Sequence, residues 1–208
     1  MKVITDFPIA YDSPDHIFPW GTRMDNTTDH GFIAEIEAYF KHKKINMMDI
    51  GCSGGQLVID FNARGHEAIG LEGSDYSVQT ARANWPAYHN KFLFTCNAAK
   101  PYKVVEDNGD DIKFDLITAW ETIEHIHPDE LDVFFQNICN HMAKDGIFCG
   151  SIALNTDVIE GHVLHQSVFP AEKWMEEILP KYFKVHVMPF HNKVRGVSNN
   201  IHVMLELK

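Results

Sequence analysis

The densest chemistry in this 208-residue chain is the run Trp120-Glu121-Thr122-Ile123-Glu124-His125-Ile126-His127-Pro128. In a helical turn Glu121, Glu124 and His125 would stand three and four residues apart and share one face. Two carboxylates and an imidazole held together are costly unless they act together. Such a set suits a divalent cation, Mg²⁺ or Mn²⁺, or a His125 general base oriented by a carboxylate. Farther on, either His162 or His165 could complete a Glu, Glu, His, His cation site. In a chain with 13 histidines, however, a lone imidazole is more often a solvent or hydrogen-bonding group than a ligand.

The elements that must position this run follow from the pattern around it. Residues 114–119 read as a buried strand, and in open α/β sheets ligands bind at the carboxyl ends of strands. A second strand, 45–50, breaks into Gly51-Cys52-Ser53-Gly54-Gly55 before a helical pattern begins at Gln56. A turn with so little side chain lets backbone amides close around a ligand, with the helix N-terminus pointing into the same space. A dinucleotide fingerprint would need glycines at 51, 53 and 56, and Ser53 and Gln56 break it, which counts against NAD. Residues 68–71 form the next strand. Glu72-Gly73 follows about 20 residues beyond the first glycine, where a carboxylate can accept both hydroxyls of a ribose. A helix over 74–84 stopped by Pro86, a strand over 92–96 and a polar surface loop over 103–111 come next. After the 120–128 run, a helix from Pro128 ends at 144–146, a strand spans 147–153, and residues 154–169 form a long loop. A last helix, 169–179, precedes strands 182–188 and 201–207, joined by a polar loop over 191–200.

The spacing Asp49, Gly51, Ser53, Gly55 resembles motif I of the class I S-adenosylmethionine-dependent methyltransferases, with Ser53 at the usual middle glycine. The resemblance covers nearly everything from residue 45 onward. It implies a doubly wound, mostly parallel seven-stranded Rossmann-like α/β sheet ending in an antiparallel hairpin. It also implies that Asp49, Gly51, Ser53 and Gly55 hold the methionine end of the cofactor, with Glu72 and Gly73 at the ribose. Asn97, with Ala98 beside it, stands where an aspartate usually reads the adenine amino group. Trp120 and Trp20 are assigned as further cofactor contacts. The Glu-x-x-Glu-His run is similar to that of ubiquinone-biosynthesis O-methyltransferases and of small-RNA 3′-end 2′-O-methyltransferases, in which the acids and histidine hold a metal.

Composition bounds the rest. The formal charge is −11 and 45% of residues are apolar, which suits one domain, 1–208, and gives no footprint for nucleic acid or anionic membranes. A small-molecule acceptor, a sugar or a phenol, is therefore favoured over an RNA end. Cys52, Cys96, Cys139 and Cys149 show no CxxC pairing, so a reduced, cytoplasmic protein is expected. Residues 5–27 have no period but hold Phe18, Trp20 and Arg23, and with the helix over 29–43 they read as an N-terminal lid and helix, 1–44, over a 45–208 core. The function expected is O-methylation by S-adenosylmethionine. An RNA-end enzyme, a catalytically silent cofactor-binding module and an NAD-binding Rossmann protein remain as alternatives.

Overall fold

The computed structural model describes residues 1–190 and 199–208, so most of the 191–200 loop lies outside the described residues. The strands are β1 Lys2–Thr5, β2 Asn46–Ile50, β3 Glu67–Glu72, β4 Leu93–Thr95, β5 Tyr102–Val105 and β6 Phe114–Trp120. They continue with β7 Met142–Ala153, β8 Val158–Ile159, β9 His162–Val163, β10 Phe183–Val187 and β11 Asn200–Leu207. The α-helices are α1 Pro14–Ile17, α2 Trp20–Met24, α3 His30–Tyr39, α4 Gln56–Ala63, α5 Tyr76–Gln79, α6 Trp85–Tyr88 and α7 Leu131–His141.

Seven strands form one sheet in the order β10-β11-β7-β6-β2-β3-β4. All run parallel except β11, which is antiparallel to both β7 and β10. This is the seven-stranded, mostly parallel sheet with its closing antiparallel strands that the sequence implied. The chain lays down β2, β3 and β4 in one direction, then returns to place β6 on the other side of β2. That reversal sets the loops after β2 and β6 side by side, which is where an open α/β sheet binds its ligand. Strands β2 and β6 are buried almost throughout, as strands covered on both faces must be. One apolar layer gathers Phe134, Phe135, Ile138, Trp174 and Phe183, and the other gathers Phe32, Ile36, Phe61 and Trp85. Helix α3 starts on Asp29, whose carboxylate accepts the amides of Gly31 (2.8 Å) and Phe32 (3.1 Å).

Four local readings change. The single helix expected over 74–84 is two short ones, α5 and α6, with Ala81 and Ala83 at φ +51° and +50° between them. Tertiary bonds to the glycine loop displace the helical turn: Asn84 N–H donates to the Gly54 carbonyl and the Trp85 indole donates to the Ser53 carbonyl at 2.6 Å. Pro86 consequently opens α6 and stops nothing. Within 103–111, residues up to Val105 belong to β5, which pairs with β1 and buries Tyr102, Val104 and Val105. Strand β7 starts at Met142, earlier than expected, with its register against β6 shifting between Phe114 and Leu116. The last helix is a widened π-type segment, Lys173–Ile178, and Pro180 lies inside the closing 3-10 turn Leu179–Lys181.

Candidate active site

The glycine loop is shaped by close contact. Gly51 has φ +75°, and a Cβ there would lie 2.3 Å from Thr122 Oγ1, so the turn after β2 packs under the turn after β6. Ser53 sits at φ +46°, a conformation few non-glycine residues adopt. Its hydroxyl donates to the Asp25 carbonyl at 2.7 Å and its N–H to Glu72 Oε2 at 2.8 Å. Gly55 lies at φ +82° against Leu93, and Asn26 caps α4 by accepting the Gln56 amide at 3.1 Å. Asp49 accepts the Thr118 hydroxyl at 2.6 Å, tying β2 to β6 directly beneath the loop.

Glu72 is buried, and its second oxygen accepts the Ser74 amide at 3.1 Å. Burial pushes its pKa up to about 7, against the two amides, which favour the charged form. Beside it a slot of about 70 Å³ is lined by Ala10, His16, Gly73, Asn97, Ala98 and Phe134 among others. The residues before α1 close it, since the Ala10 amide donates to the Gly73 carbonyl and the Asn97 amide to the Phe7 carbonyl, both at 2.9 Å. The Asn97 side-chain oxygen accepts the Ala99 amide at 3.0 Å, and the Ala98 carbonyl accepts from Asn137 at 2.9 Å.

The slot opens into a cavity of about 450 Å³ whose wall includes Trp20, Gly51, Ser53, Glu72, Trp120 and His125. The two spaces share Asp15, Gly51, Glu72, Thr122 and His125. Trp120 is buried edge-on against Phe32, with ring centroids 5.1 Å apart.

The 120–128 run is no continuous helical turn. Glu121 has φ +49°, and only Ile123–His125 form a 3-10 turn. Glu121 turns toward the sheet edge, where its Oε1 accepts from Ser151 Oγ at 2.5 Å and Asn200 Nδ2 at 2.8 Å. It still lines the cavity but leaves the face it was expected to share. Glu124 is 0 % exposed, and neither carboxylate oxygen has a hydrogen-bond partner. Burial raises its pKa to about 7, with His125 opposing and Glu121 assisting. Its main-chain carbonyl accepts the amides of Gln166 (2.7 Å) and Ser167 (2.9 Å), which draws His165 over the turn. Glu124, His125 and His165 each offer a ligand atom within 4.8 Å of one another. His162 is elsewhere, stacked on Phe18 with ring centroids 4.6 Å apart.

His125 meets a residue whose part the sequence did not reveal. Asp15 Oδ2 lies 2.7 Å from His125 Nδ1, an ion-pair contact without the linear alignment of a hydrogen bond. Burial pulls the imidazole pKa down, but Asp15, Glu124 and the Leu164 carbonyl outweigh it and raise the pKa to about 9. The signal for local structure was present: Ser13 caps α1 through the Asp15 amide at 3.3 Å, with Pro14 in the first turn. Nothing in the spacing tied that turn to His125. Burial lowers the pKa of His165, whose Nδ1 contacts the Asn155 carbonyl.

A glycine turn, a buried acid at the end of β3 and a cavity at the switch point define an α/β protein built to hold a nucleoside cofactor. Residues 24–188 match the family model described as a methyltransferase domain. The chain belongs to this family, of the class I S-adenosylmethionine-dependent methyltransferases, and the NAD-binding alternative falls. It is 30% identical over 105 residues to the ubiquinone biosynthesis O-methyltransferase of Pelagibacter ubique, which is 50% of this chain and 40% of that protein. To the Nitrobacter winogradskyi enzyme of the same name it is 29% identical over 112 residues, 53% of this chain and 39% of that one. The chain thus matches only about two fifths of these relatives' length. Among solved structures, the fold is similar to the glycopeptide N-methyltransferase MtfA complexed with S-adenosylhomocysteine, with TM-score 0.60, 13% identity, and 92% and 95% of the two chains covered. It is also similar to Burkholderia thailandensis 1,6-didemethyltoxoflavin-N1-methyltransferase, with TM-score 0.63, 13% identity, and 93% and 84% covered. Among the described residues no helix is long and apolar enough to cross a membrane.

Proposed function

We propose that this protein methylates a hydroxyl group of a small-molecule acceptor, a sugar or a phenol, using S-adenosylmethionine. When bound, the cofactor supplies an electrophilic methyl group on a sulfonium. The chain's residues do the rest. Gly51, Ser53 and Gly55 leave room for the methionine end, with Asp49 bracing the loop through Thr118. Glu72 and Gly73 face the ribose and Asn97 and Ala98 the base, while Trp20 and Trp120 exclude water. The observation that carries the hydroxyl reading is the Asp15–His125 pair, which stands in the cavity wall shared with Gly51 and Glu72. A hydroxyl is a poor nucleophile at neutral pH, and His125, once deprotonated, accepts its proton as the oxygen attacks. Asp15 holds the ring. A fixed positive charge in the same cavity disfavours the imidazolium and so moves His125 toward its basic form.

Residues 1–44 act in this reading as a lid. The residues before α1 close over the nucleoside slot through the Ala10–Gly73 and Phe7–Asn97 main-chain bonds, so in this reading the segment around Ala10 covers the nucleobase. The four cysteines are free thiols, which supports a cytoplasmic assignment. Among the described residues no lysine or arginine lines the cavity, which speaks against an RNA end.

Glu124 favours a second reading. A fully buried carboxylate with no partner needs a proton or a cation, and with His125 and His165 it offers one oxygen and two nitrogen donors, a set that suits a borderline cation such as Mn²⁺ better than Mg²⁺. Glu121, bound to Ser151 and Asn200, would complete the set only by turning. A cation there would make an acceptor hydroxyl more acidic.

The test is calorimetric titration of S-adenosylhomocysteine, followed by S-adenosylhomocysteine release with hydroxylated acceptors for the wild type and His125→Ala. Binding, and turnover that drops at least a hundredfold in the variant, is expected. Turnover unchanged in the variant, or confined to amines, would refute the hydroxyl reading. Any methyl transfer excludes a catalytically silent module. Heat from Mn²⁺ added to the loaded protein, lost in Glu124→Ala, would favour the cation.

A further inference from the structure

The large cavity has an unusual charge pattern. Besides Glu72, given to the ribose above, and Asp15, paired with His125, its wall carries the carboxylates of Asp25, Glu121 and Asp157, and no lysine or arginine lines it among the described residues. Of the guanidiniums beside it, Arg23 is taken up by ring faces, 5.1 Å from the Trp20 centroid and 5.9 Å from that of Phe18, and Arg82 donates to the main-chain carbonyl of Asp25. Behind the wall, Glu124 adds a carboxylate that is 0 % exposed, has no hydrogen-bond partner and lies within 4.8 Å of the ring nitrogens of His125 and His165. Both histidines line the cavity.

Charge decides what can enter. An anionic acceptor, such as a sugar phosphate, a uronic acid or a phenolic acid, would bring its charge against these carboxylates, with the His125 imidazolium already paired to Asp15 and no arginine or lysine among the described lining residues to receive it. A cationic acceptor would sit beside the sulfonium whose methyl it must take, and the two positive charges would repel at the distance of reaction. An uncharged acceptor rich in hydroxyls escapes both penalties. Its O–H groups are donors, and carboxylates with the Asn155 carboxamide are the acceptors that a donor-rich ring requires. Trp20 gives the same cavity an apolar face for ring C–H groups.

We propose that the acceptor is an uncharged, hydroxyl-rich ring of the carbohydrate type, held by the carboxylates of the cavity wall, and that anionic acceptors are rejected. The assignment rests on the methyl-transfer reading above and narrows it from any hydroxyl to neutral polyols. Asp157 and Asn155, on the loop between β7 and β8, are its specificity-determining residues. They lie outside the glycine loop and the His125 turn, so changing them leaves cofactor binding intact.

Two measurements separate the assignment from the reading beneath it. Titration of S-adenosylhomocysteine comes first; failure to bind would remove the cofactor reading and this assignment with it. Saturation-transfer NMR on the loaded protein then compares methyl glucoside, methyl rhamnoside, glucosamine, glucuronate and glucose 6-phosphate. The neutral glycosides are expected to bind at least tenfold more tightly than the two anions and glucosamine. Asp157→Asn is expected to narrow the preference over glucuronate by roughly tenfold, the effect of removing one like charge a few ångströms away, with S-adenosylhomocysteine affinity unchanged. Equal binding of anions, tighter binding of glucosamine, or no contact from either glycoside while S-adenosylhomocysteine is bound would overturn the proposal and leave methyl transfer standing. So would an Asp157→Asn preference identical to the wild type.

Discussion

Replacing Asp15 by asparagine removes the carboxylate that lies 2.7 Å from His125 Nδ1 and keeps the side chain's size. Against burial, Asp15, with Glu124 and the Leu164 carbonyl, pushes the His125 pKa up to about 9 from the ordinary 6.5 of a histidine, and that difference is worth up to ~3.4 kcal/mol. Burial works the other way and stays when Asp15 is neutralised. The His125 pKa in Asp15→Asn should therefore fall by two units or more, to the ordinary histidine range or below it. The sign follows from the folded pKa being the higher one. The pair's stabilisation is fully present below about pH 6.5 and is lost as pH rises through about 9. Denaturant unfolding of chelator-treated wild type and Asp15→Asn should differ by about 2–3 kcal/mol at pH 6 and converge above pH 9.5. Ring ¹⁵N shifts of His125 report the midpoint directly. With His125 as the base, the wild-type rate in cofactor-saturated protein should climb with pH, and in the variant the rise should come at least two units earlier to a lower plateau. A His125 midpoint that does not move on loss of Asp15 would refute this account of the pair.

Glu72→Gln should weaken S-adenosylhomocysteine at least tenfold by calorimetry while stabilising the cofactor-free protein. A buried acid with its pKa raised to about 7 costs stability increasingly from pH 4.5 to 7, so the gain should be absent at pH 4, reach up to ~3 kcal/mol at pH 8, and be read by denaturant unfolding. Glu124→Gln should stabilise over the same pH window, because its two orphaned oxygens lose their charge; a destabilised variant in metal-free buffer would contradict the burial argument. Gly51→Ala puts a Cβ 2.3 Å from Thr122 Oγ1 at φ +75°, and should lower stability by about 1–3 kcal/mol and abolish cofactor binding. Trp85→Phe removes the indole donor to the Ser53 carbonyl and should cost about 1–2 kcal/mol, seen as a lower Tm with the glycine loop less protected from hydrogen exchange.

The sheet was legible because its strands are short buried runs punctuated by glycine and polar turns. The position of Glu72 followed from the length of one βαβ unit, which is set by backbone geometry. The 121–125 geometry was not legible, because a helical reading assumes negative φ throughout and Glu121 is held at φ +49° by Ser151 and Asn200. Those partners arrive on β7 and β11, far along the chain, and local spacing contains nothing about them. His162 and His165 were indistinguishable for the same reason. The choice between them is made by the Glu124 carbonyl, which takes the amides of Gln166 and Ser167 and leaves His162 to stack on Phe18.

Ser53, the one departure from the family's glycine pattern, ties these observations together. A serine in the left-handed region is strained, and something must hold it there. The holder is the arm: the Thr22 and Asp25 carbonyls accept the Ser53 hydroxyl, and Asn26 caps α4 where Gly55 offers no side chain. The same arm delivers Asp15 to His125 and Trp20 to the cavity wall. Loop conformation, helix cap and imidazole charge therefore all depend on residues 15–26 being in place. A glycine at 53 would free the loop from the arm; a serine makes the two order together. The position of the arm and the charge of His125 are coupled on this geometry: the Asp15 contact that favours the imidazolium exists only with residues 15–26 in place, and loss of that charge weakens one of the contacts that hold the arm.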